Sequence, residues 1–521
     1  MTQVTTPSEE SFSAPSKQPH LVATLGWFSA TAIVVGSMIG SGIFLVPAEI
    51  SRDTGSPALL IAAWLVTAVM TIIGALSYGE LAAMMPDAGG QYVYLREALG
   101  PLPGFLFGWT LFLVIQTGTI AAVAVAFGKF LGVFFPSVSS SHWLWHIGHV
   151  PAWHVGPMVL GNMDIGVNTA NLTGILIILL LTFVNIFGVR LGALIQNVFT
   201  TAKTAALLGL VILGVLFGRK AVAMAANFGH NFWAGAGWHT LHPLQIGVGG
   251  PVTMVGLLTI LAVVQTGSLF SADAWNNVTY TAGEVKNPRR NLPLSLVLGT
   301  GVVLGLYILA NFVYLFALPL HGDAHGATVA ARGIAHAADD RVATAALQQI
   351  FSNGGAYLMA GAILISTFGC ANGLTMAGPR VYYAMSRDRL FFEGAGKLHP
   401  RYKTPVIALL IQGVWTCVLC ISGSYSQLLD YIICSELIFY ILTIGSLFVL
   451  RRKRPDAQRP YKALGYPVLP ALYIVMAAWI CIVLLRYKPQ YTWPGIVIVL
   501  LGVPVYAIWS RVAKRSPVTP S

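Results

Sequence analysis

Long apolar runs alternate with short polar connections along almost the whole chain. About 20 consecutive apolar residues cross the hydrocarbon core of a bilayer as a helix. Twelve such runs can be read, near 24–48, 58–83, 102–135, 171–189, 194–217, 253–281, 293–318, 354–385, 405–422, 427–450, 468–485 and 494–510. They predict an all-α polytopic membrane protein. Two runs are interrupted. In the first, "GSMIGSGIF" (Gly36 to Phe44) holds five glycine or serine residues in nine. Glycine costs about 1 kcal/mol relative to alanine in a helix interior. The stretch admits two readings. One is a backbone opened at mid-membrane, tolerated only beside protein or a polar cavity. The other is a GxxxG pair, Gly36 and Gly40, that lets helices pack closely. In the sixth run, "LFSADAWNNVTYTAGEVKNPRRNLP" puts Ser271, Asp273, Asn276 and Asn277 where hydrocarbon is expected. A charge at a helix centre costs about 2.5–3.5 kcal/mol on insertion scales. Asp273 is therefore expected to face a cavity or an unwound backbone.

Runs one to five and six to ten form comparable halves. Five is odd, so the second half must sit upside down relative to the first. The two broken runs then occupy corresponding places. Paired interruptions of this kind point to a transporter's binding site at the midplane, and they select the opened-backbone reading of "GSMIGSGIF". The segments expected are a disordered tail at 1–23, a first five-helix unit at 24–217, an outer loop at 218–252, a second unit at 253–451, two further helices at 452–510 and a tail at 511–521.

Only 9% of the 521 residues are charged, against about 25% in soluble domains. The net charge of +12 does not point to nucleic acid, because of where the charges lie. With the N-terminus inside, inner loops and tails hold 20 Lys/Arg, outer loops 7, and spans or their ends 3. This positive-inside bias puts both termini in the cytoplasm and the protein in the cell membrane, with the lipid bilayer as its surroundings. The polar N-terminal 20 residues lack a signal peptide's charged and apolar regions. All five cysteines fall in apolar runs; Cys417 and Cys420 form a CxxC without basic or histidine partners and read as small core residues.

Lys203 lies about nine residues into the fifth run, about 14 Å at helical rise. That is deep for snorkelling, and no acid lies within four residues on its own helix. It must find carbonyl dipoles elsewhere or give up its proton. Lys129, near the outer end of the third run, reads as a snorkelling residue. Glu80, near the inner end of the second, either helps close the cytoplasmic side or sits at the interface. Three long outer loops, near 136–170, 218–252 and 319–353, carry ten of the twelve histidines. His142 and His146 have i,i+4 spacing but no accompanying carboxylate, so interfacial anchoring is the expected role and no metal site is assigned.

Together, "GSMIGSGIF", "GELAAMMPDAGGQYVYLREALG", "NVFTTAKTAALL", "FSADAWNNVTYTAGEVKNPRRNLP" and "STFGCANGLTMAGPRVYYAMSRDRLF" resemble the amino acid–polyamine–organocation superfamily. They are most similar to bacterial relatives of the L-type amino acid transporters. The resemblance runs over about 24–510. It implies the LeuT-type fold: two inverted five-helix repeats plus two C-terminal helices, twelve in all, with substrate between spans one and six. It further implies that Ser41 and Gly42 offer backbone N–H groups to a carboxylate. Carbonyls of Met38, Phe270 and Asp273 would take an α-ammonium. The Phe270 ring would gate the site and Asn372 line it. Lys203 would stand where sodium-dependent relatives bind sodium. Ala272 departs from the pattern, since L-type relatives often carry an aromatic there, and this bears on the shape of the side-chain pocket.

The function expected is sodium-independent secondary active transport of amino acids, by proton symport or exchange. Neutral substrates are favoured because residues near the pocket (Phe270, Ala272, Asn372, Gln116 to Thr119) are uncharged. Cationic amino acids or polyamines become the alternative if the Asp273 side chain faces the pocket. A non-transporting amino acid sensor is a second class, disfavoured by the lack of an appended signalling domain. A membrane enzyme is a third, for which the spans offer no catalytic cluster. The small-molecule amino acid, and a proton as coupled ion, are the partners expected; no cofactor, metal or protein partner is inferred.

Overall fold

The computed structural model describes residues 21–155, 158–161, 163–233, 254–422 and 425–515. The expected tails at 1–23 and 511–521 and the loop at 218–252 fall partly outside these residues. Among the described residues, ten helices are long and apolar enough to cross a membrane. Two shorter apolar helices, Gly256–Ser271 and Val406–Ile421, fall at the sixth and ninth predicted runs. Every predicted run is therefore met by a helix.

The first span is two helices, Trp27–Met38 and Gly42–Thr54. Ile39 leaves helical geometry at φ −74°, ψ 87°. The sixth is also two, Met254–Ser271 and the short Asn277–Tyr280. Its break contains no glycine; Ala274 takes the left-handed conformation at φ 62°. Span two is Pro57–Met84, span five Val189–Phe217, span seven Pro288–Ala317 and span ten Tyr425–Lys453. The first half of span one packs against spans five, seven and eight, and its second half against span six. The broken helices thus occupy the centre of the bundle.

Both readings of the glycine stretch are realised. The helix opens there, and its glycines also permit close packing. A Cβ at Gly36 would lie 2.0 Å from Gln196 Nε2 of span five. One at Gly42 would lie 2.1 Å from Ser271 Oγ and 2.9 Å from Ser271 Cα. The two breaks touch each other through Gly42.

Three features were not anticipated. Span three runs Pro101–Leu131 through a π-helical turn, Leu111–Ile115, a local irregularity common near functional sites. Span eight, Val342–Arg387, begins twelve residues before the predicted 354, with a non-helical joint at Phe351 and Ser352. The long outer loop at 136–170 contains two antiparallel pairs: Trp143–Val150 with Met163–Asn168, and Trp153–Val155 with Met158–Leu160. A bulge between His146 and Gly148 re-aims the strand, so that His146 and His149 both reach Asp164 Oδ1, at 3.3 and 3.0 Å. A carboxylate therefore does accompany His146. These contacts hold the Asp164 carboxyl below its ordinary range, His149 contributing most.

Candidate functional site

The opened segments of spans one and six enclose a cavity of about 10 Å³, lined by Met38, Ser41, Gly42, Phe270 and Asp273 among others. That is room for roughly one water. Gly42 starts the second half of span one, so the first-turn amides of that helix point into the break. Such amides lack intrahelical acceptors and carry partial positive charge, which suits a carboxylate. The carbonyl side of the break is already engaged. Met38 O accepts from Gly40 N–H at 2.8 Å and from the Tyr307 hydroxyl at 2.9 Å. Tyr307 also donates to Ser271 O at 3.1 Å, bridging spans one and six. Phe270 O accepts from Asp273 N–H at 3.2 Å. The Phe270 side chain is buried against the cavity.

Lys203 reaches span one from span five. Its Nζ donates to Gly36 O at 2.5 Å, Ile39 O at 2.8 Å and Ser366 O at 3.3 Å. An ammonium has three donors, and three carbonyls from spans one and eight receive them. Ser366 strengthens the same joint, donating its hydroxyl to Ile39 O at 3.0 Å. A lysine in this position staples the break of span one to two neighbouring spans.

Asn372 is placed differently from the expectation. It turns away from the cavity toward spans four and five. Its Nδ2 donates to Gly192 O and Gln196 Oε1, each at 3.1 Å, and its Oδ1 accepts from Asn185 Nδ2 at 3.0 Å. The span-eight residue that lines the cavity is Cys370, whose Sγ lies 3.0 Å from Ser37 O. Residues two apart on a helix do not share a face, so only one of the pair can point inward. From span three, Thr119 and Val123 line the cavity, while Gln116 donates to Leu374 O at 2.7 Å. Ala272 faces a second cavity behind span six.

Asp273 faces both cavities, and its Oδ1 accepts from the Tyr440 hydroxyl at 2.6 Å. Beside it is Glu436 of span ten, which the sequence reading overlooked. The signal was available: a carboxylate in a membrane span is costly wherever it occurs, and Glu436 sits inside the tenth run as Asp273 does inside the sixth. Also overlooked was a buried ion pair, Arg380 with Glu284, at 3.1 Å through both Nε and NH2. It ties span eight to the segment after span six. The end of the bundle that carries the basic loops is closed by related contacts. Arg451 holds Glu80 at 3.0 and 2.6 Å, Arg454 holds Glu97 at 2.6 Å, and Lys286 N–H meets Leu25 O at 2.8 Å.

The model of the amino acid permease family matches residues 25–507. The chain belongs to the amino acid permease family. Its fold is accordingly the LeuT type, and the multi-pass helices are those of a transporter family in the membrane. Among similar proteins is the b(0,+)-type amino acid transporter 1 of Mus musculus, 29% identical over 465 residues, covering 88% of this chain and 83% of that one. The large neutral amino acids transporter small subunit 2 of Rattus norvegicus is 29% identical over 484 residues, covering 92% and 80%. The serine/threonine exchanger SteT of Bacillus subtilis (strain 168) is 27% identical over 484 residues, covering 92% and 95%. In this permease the family's substrate is a small-molecule amino acid.

Proposed function

We propose that this permease is a sodium-independent secondary active transporter that moves neutral amino acids by exchange or proton symport, with alternating access. The observation that carries the sodium-independent reading is the Lys203 ammonium on three carbonyls of spans one and eight, where it stands in for a bound cation. The zwitterion would lie at the break: carboxylate on the amides of Ser41 and Gly42, ammonium on the carbonyls of Met38, Phe270 and Asp273. To reach Met38 O it must displace the Tyr307 hydroxyl or share the acceptor with it. Phe270 serves as the gate. The small lining side chains Thr119, Val123 and Cys370 suit a short neutral side chain. The excess of Lys and Arg in the loops read as inner supports a cell-membrane protein with cytoplasmic termini.

A second reading has its own support. Asp273 lines the cavity, and its carboxylate, with Glu436 nearby, lies at the adjoining cavity, so a cationic amino acid or a polyamine that reaches past the break would find a counter-ion. Purified protein in liposomes, assayed for uptake with sodium or choline outside, tests the first reading. Full dependence on sodium refutes it. Competition by unlabelled alanine, serine, leucine, arginine and putrescine separates the substrate classes. Inhibition by arginine or putrescine alone replaces the neutral assignment with the cationic one. Absence of flux in the presence of specific binding replaces transport with sensing.

A further inference from the structure

Behind the span-six break lies a buried acidic pair that binding of a zwitterion leaves unused. Glu436 of span ten and Asp273 line one cavity and are close enough to interact electrostatically; they are 3% and 7% exposed. Tyr440 donates to Asp273 Oδ1 at 2.6 Å. Glu436 Oε2 is buried without any hydrogen-bond partner. Both carboxyls line a cavity of about 20 Å³, walled by Thr71, Trp275 and Tyr473, with no lysine, arginine or histidine among its lining residues. Among the described residues, the titratable groups facing the pair are tyrosines: Tyr78 of span two, Tyr280 of span six, Tyr440 of span ten and Tyr473 of span eleven.

Two carboxyls sharing a small buried cavity, with no cation among its lining residues, strongly disfavour ionising together. A proton held there belongs to the pair. Tyr440 already donates to Asp273 Oδ1, whereas Glu436 Oε2 has no hydrogen-bond partner, so Glu436 is the member of the pair with an oxygen open to a proton. We propose that Glu436, acting with Asp273, is the site that carries the proton coupled to amino acid movement. This rests on the symport branch of the proposed function. The geometry favours a proton over a substrate ammonium, because the cavity admits roughly one water and not an aminoalkyl chain. Asp273 connects the two compartments, lining this cavity on one side and the substrate cavity on the other. Gain of a proton converts the Glu436 carboxylate to its acid on one side of the membrane. Loss on the other side restores the carboxylate, and no other bond changes.

The test uses the full chain in liposomes with an internal pH dye. The substrate is whichever of alanine, serine, leucine, arginine and putrescine is transported. With acid outside, wild type should accumulate substrate and acidify the lumen. E436Q should lose accumulation by about tenfold or more, keep substrate exchange, and show exchange that no longer varies with pH. Tyr440→Phe removes a donor to the anionic form, so its pH midpoint should move upward. Retained pH-driven accumulation with an unmoved profile in E436Q overturns the proposal. So does an E436Q that weakens competition by arginine or putrescine alone, which makes the pair an ammonium counter-ion. Wild-type exchange without proton movement refutes the symport branch itself; coupling in both wild type and E436Q refutes only the role of Glu436. If E436Q does not fold, Glu436→Asp takes its place, and an unchanged midpoint overturns the proposal.

Discussion

Replacing Lys203 with alanine removes a buried cation and leaves three carbonyls facing the gap. Each hydrogen bond to a charged group contributes about 1.5–3 kcal/mol. Each buried carbonyl left without its partner costs about 1–3 kcal/mol. The loss is partly offset at Ile39 O, which keeps the Ser366 hydroxyl at 3.0 Å. It falls on the conformation in which spans one, five and eight are joined, because the bonds of Lys203 run to Gly36 and Ile39 of span one and to Ser366 of span eight. A differential of about 3 kcal/mol between conformations is about a hundredfold in their ratio. Transport by Lys203→Ala in liposomes should therefore fall by at least about tenfold. The purified variant should also melt at lower temperature than wild type. A variant with unchanged rate and unchanged pH dependence refutes the reasoning, and the lysine is then only a packed side chain.

Gly42→Val should abolish transport and the thermal stabilisation given by substrate, but the Cβ would also meet Ser271 at 2.1 Å. The paired variant Gly42→Ala with Ser271→Gly removes the side-chain part of that clash and leaves a 2.9 Å approach to the Cα of residue 271, so recovery of melting temperature without recovery of substrate stabilisation locates the carboxylate site at Gly42; normal binding by the pair excludes it. Cys370→Phe should fill the substrate cavity and raise KM about tenfold or more. Asn372→Ala should lower the melting temperature, through loss of buried hydrogen bonds at about 1–3 kcal/mol for each unsatisfied partner, and leave KM in place. A KM change in Asn372→Ala at unchanged melting temperature restores Asn372 to the pocket.

The helices were legible because bilayer thickness imposes one length on every apolar run, and only helices satisfy their backbone within a single segment. The breaks were legible for a different reason: polar residues at mid-membrane need a local explanation. The strand pairs between Trp143 and Asn168 were missed because they stand outside the apolar runs, where that constraint does not act. Their pairing depends on a bulge beside Gly148, a non-local event with no periodic signal. The early start of span eight was hidden by its joint at Phe351 and Ser352, where the polar "SNGG" reads as the end of a loop.

For the site, what was legible is what a single residue announces by its cost. Lys203 and Asp273 are expensive in hydrocarbon, so their need for partners could be stated before any partner was known. Which partners they find is set by helix rotation and packing, which one chain's spacing does not encode. Asn372 shows this limit. A polar residue in span eight was taken to face the pocket, yet amides on spans four and five satisfy it equally well, and the inward place falls to Cys370, a residue with no polar cost to signal it. Glu436 shows the opposite error. Its cost is as visible as that of Asp273, but it lies in span ten, outside the paired breaks. The unused cost of a buried carboxylate is therefore a better guide than position: each such group in a membrane span must be assigned a partner, a proton or a ligand, and Glu436, with one oxygen still unpartnered, directs attention to the far side of span six.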